Sequence, residues 1–302
     1  MVLLVNDTKA KDCVYRNIQK DSGWQIPARI HVEALYSIAS EVLDKDFKEK
    51  IKHEFYSRCS EMYFAATCID RLAIKISHPS DKGLDFFMDD FNCWVEVVTA
   101  TDGDKGNINS IPDREEGVCY QYPENKVLLR LSNSFKEKAK KACDDIKKGL
   151  VEVHQPIVIF ISGGGLSEFL PMHPDGGLPE IFKVLFPIGG LEALFNHKTK
   201  VFDGWQYLYR ENIGKVKNDS TIPVLIGYFL DGLYSHVSAV IYSWANACNP
   251  MPREKFGSDF SIIHNPLAKN KLPMGLLKCG SEYIIKVDDD SFTILPKINY
   301  EK

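Results

Sequence analysis

The chain of 302 residues contains no short cysteine pair. Its eight cysteines, at 13, 59, 68, 93, 119, 143, 248 and 279, form no CxxC or similar ligand spacing, which argues against a zinc site. Several sit inside apolar periodic segments, as reduced thiols do in a reducing, cytoplasmic compartment. No run of about 18 apolar residues occurs, so no segment reads as a membrane span. The apolar start Met1–Leu4 stops at Asn6-Asp7, too short for a signal-sequence core. A basic excess is also missing. Net charge is −4, so any polyanionic partner needs a local basic patch. Neither GxGxxG nor GxxxxGK[ST] follows the strand-like PIVIFIS, so Gly163-Gly164-Gly165 reads as a tight turn and not a phosphate cradle. There is no internal repeat and no clear linker. The second half therefore reads as extending the sheet of the first.

What is present is globular: 44% hydrophobic and 26% charged residues, enough chain for one large core. The most informative stretch is Leu84–Thr99, LDFFMDDFNCWVEVVT. Leu84–Met88 and Cys93–Thr99 carry the aromatic and β-branched residues of strands, and Asp89–Asn92 carries turn residues. A turn at 89–92 pairs Met88 with Cys93 and sets Asp85 opposite Glu96 on one face. Two carboxylates so placed repel each other unless one is protonated or a cation sits between them. Hard divalent cations, Mg²⁺ or Mn²⁺, suit such oxygen ligands. The structural alternative is an edge hairpin with both acids in solvent.

Around this hairpin, residues 1–26 read as an irregular arm. Pro27–Lys48 and Asp46–Ile69 read as helical, with Arg58 and Glu61 one turn apart as a surface ion pair. Leu72–Ser77 reads as a strand and Ala100–Glu124 as a long loop. Ser134-Phe-Lys-Glu137 matches a capping box and predicts a helix start at Ser134, with Lys136 and Lys138 flanking its buried stripe and Lys140 pointing outward. Residues 166–222, rich in Gly and Pro, read as loops and short helices. Strands are expected at Ile222–Leu230, Val237–Trp244 and Phe260–His264, with a closing hairpin of Tyr283–Val287 and Phe292–Leu295.

The resulting order is a helix with Glu61, a strand, a strand with Asp85, a strand with Glu96, a lysine-bearing helix and a strand. Over about residues 50–165 it resembles the core of the PD-(D/E)XK nuclease superfamily, the restriction-endonuclease-like fold. RCSEMYFAATCIDRL, GLDFFMDDFNCWVEVV, VLLRLSNSFKEK and PIVIFISGG resemble segments of uncharacterised bacterial proteins assigned to it; SAVIYSW and DFSIIHNPLAKN resemble their C-terminal segments. The resemblance implies an α/β fold with an αβββαβ core and a mixed central sheet extended by C-terminal strands. Residues 1–49 would pack on the core as arm and helix, 50–165 would form the nuclease-like core, and 166–302 would extend the same domain.

It also implies a metal-dependent nuclease acting on DNA or RNA. Asp85 and Glu96 match the two motif acids, with the Val97 carbonyl and Glu61 as further contacts to Mg²⁺ or Mn²⁺. The motif lysine is absent, because Val98 stands in its place. Lys138 from the following helix is the substitute, with Lys136 and Arg130 next. Arg130, Lys136 and the Asp102–Glu124 loop are then expected near the nucleic-acid backbone. Two rival classes accompany this reading. One is a catalytically inactive nuclease-like fold serving as a binding module. The other is a cysteine hydrolase that pairs Cys119 or Cys248 with His154, His236 or His264.

Overall fold

The computed structural model describes residues 3–5, 7–20, 23–79, 83–113, 117–119, 121–166, 177–248, 255–288 and 291–301. Its helices are α1 (Cys13–Ile18), α2 (Gln25–Ala39), α3 (Phe47–Lys50), α4 (Phe55–Ala66), α5 (Glu124–Lys147) and α6 (Phe182–Leu185). The first seven strands are β1 (Ile76–Ser77), β2 (Phe86–Met88), β3 (Cys93–Thr101), β4 (Ile157–Gly165), β5 (Ile188–Phe195), β6 (Phe202–Tyr209) and β7 (Asn212–Lys217). The remainder are β8 (Ser220–Leu225), β9 (Ala239–Ser243), β10 (Ser261–His264), β11 (Ser281–Tyr283), β12 (Ile285–Asp288), β13 (Ser291–Ile294) and β14 (Ile298–Asn299).

The fold is mixed α/β. One eight-stranded sheet, ordered β1-β2-β3-β4-β9-β10-β11-β14, draws strands from both halves of the chain. β3, β4 and β9 run parallel at its centre, while β1, β2 and β10 pair antiparallel. A continuous apolar run such as IVIFIS is what a strand covered on both faces requires. Val158 and Phe160 of β4 enter the core beneath α4, and Ile159 and Ile161 enter the core beneath α5. The glycine triplet is not a turn. All three glycines lie within β4, where a Cβ on Gly163 would meet the Tyr242 hydroxyl at 2.5 Å and one on Gly165 the Ala100 carbonyl at 2.6 Å. Neighbouring chain approaches so closely that only glycine fits.

Several other expectations are corrected. Residues 1–26 hold a helix, α1, capped by the Asp12 carboxylate on the amides of Val14 and Tyr15. Helix α2 ends at Ala39, short of Lys48. The strand expected at 72–77 is only Ile76–Ser77. Helix α5 starts at Glu124, ten residues before the apparent capping box, and Ser134 is buried in its interior. Residues 188–225 form two antiparallel hairpins, β5-β6 and β7-β8, where loops and short helices are expected. The strand expected at Ile222–Leu230 is β8 followed by a short 3₁₀ turn at Tyr228–Leu230.

Glu124 ties the start of α5 to α6 through Lys183 and to the junction of the two hairpins through Arg210. Its Oε1 meets Lys183 Nζ at 2.5 Å and its Oε2 meets Arg210 Nη1 at 3.1 Å. Burial would raise the Glu124 carboxyl, but Lys183 and Arg210 outweigh it and hold it below its ordinary value. A carboxyl depressed in the folded state stabilises above its unfolded pKa and loses that contribution as pH falls through the folded one. Glu124→Gln should therefore cost about 1 kcal/mol at pH 7, a charge-assisted contact discounted for partial exposure. The gap between the two proteins should close below about pH 4 in thermal melts. Amide exchange in β6 and β7 should quicken in the variant, and an unchanged exchange pattern would show that the hairpins are held elsewhere.

Candidate functional site

The register of β2 on β3 pairs Met88 with Cys93 and Phe86 with Val95. A 3₁₀ turn at Asp89–Phe91 and Asn92 in the left-handed region (φ 50°) close the hairpin. The alternation sends Phe86, Met88, Val95 and Val97 into the core beneath α4. Asp85 and Glu96 belong to the opposite, α5-facing set. The backbone ladder stops at Phe86, so the next β2-side amide, that of Val97, has no strand partner. The Asp85 carboxylate takes it, with Oδ2 accepting from Val97 N at 2.7 Å. Asp85 thus continues the ladder with a side chain.

Glu96 is completely buried. Its Oε1 accepts from Lys138 Nζ in a very short contact, and its Oε2 accepts from Lys141 Nζ at 2.7 Å. Both lysines come from α5, one turn apart, and both are partly exposed. Burial, followed by the Asp85 charge, raises the Glu96 carboxyl against the pull of the two lysines. Burial alone would depress Lys138, yet the charges of Glu96, Asp85 and Glu61 prevail and hold its pKa above the ordinary value. Lys138 is therefore a fixed cation, not a proton acceptor, at neutral pH.

Glu61 approaches from α4. Arg58 Nη1 donates to both of its oxygens at 2.8 Å. The pair is not the surface contact expected from the sequence, because Glu61 is 8% exposed. Burial, and to a lesser extent Asp85, push the Glu61 carboxyl up to about 7 despite Arg58. A cleft of about 440 Å³ opens beside these groups, with Arg58, His78, Asp85 and Lys141 on its wall. His78 Nδ1 lies 2.5 Å from the Asp85 carbonyl oxygen, and Nε2 lies 2.6 Å from Asp44 Oδ1 without a directed hydrogen bond. This bridges the 44–50 segment to the hairpin.

No family model, curated protein or solved structure matches this chain. The site is therefore read from its own chemistry. Asp85, Glu96 and the Val97 carbonyl are hard oxygen donors of the kind Mg²⁺ takes. They fit such a cation in kind, while among the described residues no three His, Cys, Asp or Glu side chains converge as a ready-made metal site. Ammonium groups hold both Glu96 oxygens, so a metal at Glu96 shares or displaces Lys141 or Lys138.

The other candidates lie elsewhere. Arg130 Nε donates to the Thr101 carbonyl at 2.6 Å, and Lys136 Nζ sits 5.7 Å from the Tyr228 ring centre. Neither is bonded to Glu96. Lys140 is exposed, as its position on the helix predicts. Sequence reasoning missed Lys141 and His78. Lys141 stands three residues from Lys138, so the spacing that favours one favours both. The cysteine-hydrolase constellation is not assembled. His236 Nε2 is 2.8 Å from the Ala139 carbonyl, His264 Nε2 is 2.7 Å from Glu282, and His154 Nε2 is 3.1 Å from Glu152. Burial raises the Cys248 thiol, the reverse of an activated thiolate. No hydrogen bond joins these histidines to Cys119 or Cys248 among the described residues.

The asymmetry of the Glu96 cluster is testable. Glu96→Gln removes the buried charge and leaves two ammonium groups that can turn to water, so it should cost less than about 1 kcal/mol. The double variant Lys138→Met, Lys141→Met strands the carboxylate and should cost about 3 kcal/mol at pH 7. Its Glu96 carboxyl then rises further, so that penalty is present above the folded pKa and relieved as pH falls through it. Urea denaturation at two pH values checks both. Equal costs for the two variants would mean that Glu96 is not the group that demands the partners.

Proposed function

We propose that the protein is a metal-dependent phosphodiesterase that cleaves nucleic acid, DNA or RNA, on a restriction-endonuclease-like αβββαβ core. The observation that carries this reading is the ammonium of Lys138 on Glu96, from 42 residues further along the chain. The element order α4-β1-β2-β3-α5-β4 and the parallel pairing of β3 with β4 support the core assignment. An acid just before β2, an acid on β3 and a lysine from the next helix supply the residue types of the superfamily motif, with the lysine on the helix and not on the strand.

Asp85, Glu96 and the Val97 carbonyl would hold Mg²⁺ or Mn²⁺, with Glu61 bordering them. A cation so held would lower the pKa of bound water and polarise the phosphate. The chain's own groups do the rest. Lys138, kept protonated by its acidic neighbours, neutralises charge that develops on the phosphoryl oxygens. Arg58 restrains Glu61, and the amide of Val97 fixes the Asp85 carboxylate. Lys136, exposed on α5, is available to backbone phosphates.

One observation favours a second reading, a non-catalytic binding module on the same fold. Every acid of the site already has a partner: Glu96 has two lysines, Glu61 has Arg58 and Asp85 has the Val97 amide. In that reading the cluster is a buried ion-pair network that holds α5 to the sheet.

Cleavage assays with Mg²⁺ and Mn²⁺ on single- and double-stranded DNA and RNA separate the two. We expect metal-dependent cleavage that Asp85→Ala and Glu96→Ala abolish. Lys138→Ala should slow it by about 10²–10³, the usual cost of losing one preorganised charge-stabilising group. Lys140→Ala should cleave like the parent. Either cation should raise Tm, and Glu96→Gln should blunt that rise. A purified protein that cleaves none of these substrates with either metal would leave the binding module as the better account.

A further inference from the structure

The β5-β6 hairpin presents an apolar surface that no other part of the described chain covers. β5 pairs only with β6 among the described residues, so its outer edge keeps unpaired backbone groups. Both strands are exposed along most of their length. Cross-strand register places Leu191 opposite Tyr207 and Phe195 opposite Phe202. Phe195, Phe202 and Trp205 form a chain of edge-to-face rings at 5.8 and 5.6 Å. Phe195 is 61% exposed, Trp205 64% and Tyr209 70%.

An isolated two-stranded hairpin is marginal in water, and one faced with aromatic rings in solvent is more so. Aromatic side chains bury about 150–250 Å² each, so Phe195, Phe202, Trp205 and Tyr209, each about half to two-thirds exposed, offer roughly 500 Å² of apolar surface. That is more than half of the about 800 Å² per partner of a standard protein interface.

Charge decides what kind of partner fits. The ribbon and its connecting turn carry Asp203 against Lys198 and Lys200, Glu192 pairs in register with Gln206 on the face away from Leu191 and Tyr207, and Arg210 at the foot is engaged by Glu124. Charges so few and of mixed sign offer little attraction to a polyanion, which needs clustered cations. They do suit a self-complementary contact, in which one copy's Asp203 can face the other's lysines. A groove of about 860 Å³ at the foot of the ribbon, lined in part by Tyr207, Tyr209 and Phe292, gives such a contact a recess for an anchoring side chain.

We propose that this ribbon is a homodimer surface, where two copies pack their aromatic faces about a two-fold axis. The site at Glu96 is not needed for this, so the proposal stands apart from the phosphodiesterase reading. Sedimentation equilibrium of the full chain across micromolar concentrations tests it. The parent should be dimeric. Trp205→Asp and Phe202→Asp place a charge on an exposed ring position and should weaken association by at least 100-fold while far-UV circular dichroism stays unchanged. Leu233→Asp, at an exposed apolar position outside the ribbon (71% exposed), should dimerise like the parent. A monomeric parent at the highest concentration overturns the proposal. A dimer that survives both aromatic substitutions overturns it equally, because the contact then lies on another face.

Discussion

A fully buried carboxylate, Glu96, is the constraint around which the centre of this molecule is arranged. A charge withdrawn from water is tolerated only with partners at close range. β3 lies between β2 and β4, so neither neighbouring strand offers Glu96 a cation. The partners must come from the layer above. Helix α5 supplies them at an i, i+3 spacing that brings two ammonium groups to one carboxylate. This fixes the rotation of α5 about its axis, and with it the apolar stripe of Phe135, Ala139 and Ala142 that seals the sheet. Electrostatics and packing therefore select the same helix orientation.

The hairpin was legible because strand periodicity is two and its faces differ sharply in polarity. Phe86, Met88, Val95 and Val97 had to share one face, which left Asp85 and Glu96 on the other. The start of α5 is obscured by Ser134 and Glu137, which have the capping-box spacing, while the signals at the actual start are Pro123 just ahead of the helix and Glu124 in its first turn. Lys141 was hidden by company. A helix that carries lysines at 126, 136, 138, 140, 141 and 147 looks like a solvated face, and only three dimensions separate the two that turn inward. The β5-β6 and β7-β8 hairpins escaped notice for a different reason. β5, β6 and β8 are exposed along most of their length, and β7 buries only Ile213, so their glycines and prolines outweigh the short stretches of alternation.

The charge inventory of the site clarifies why it supports both a catalytic and a structural reading. Glu96 has two lysines, Glu61 shares Arg58 with Glu54, and Asp85 accepts from the Val97 amide, so each carboxylate is partnered within the chain. The raised Glu61 and Glu96 carboxyls nonetheless show that burial and mutual repulsion are not fully offset by the organic cations. A compact dication would answer that residual repulsion better than an ammonium at the end of a flexible chain.

Val98 faces the same side as Glu96 and packs into the cluster that contains Phe135, Ala139 and Ile161. A lysine at that position would have to thread its chain through this apolar layer. With valine there, α5 can lie close to the sheet. Its contact residues Ala139 and Ala142 are small and fully buried, each preceded by one of the two lysines that reach Glu96. The alanines bring the helix near, and the lysine stems run along its flank and place their ammonium groups on the carboxylate. Valine on the strand and lysines on the helix are thus two consequences of one packing choice. They keep the positive charge beside Glu96 while leaving the strand position to the core.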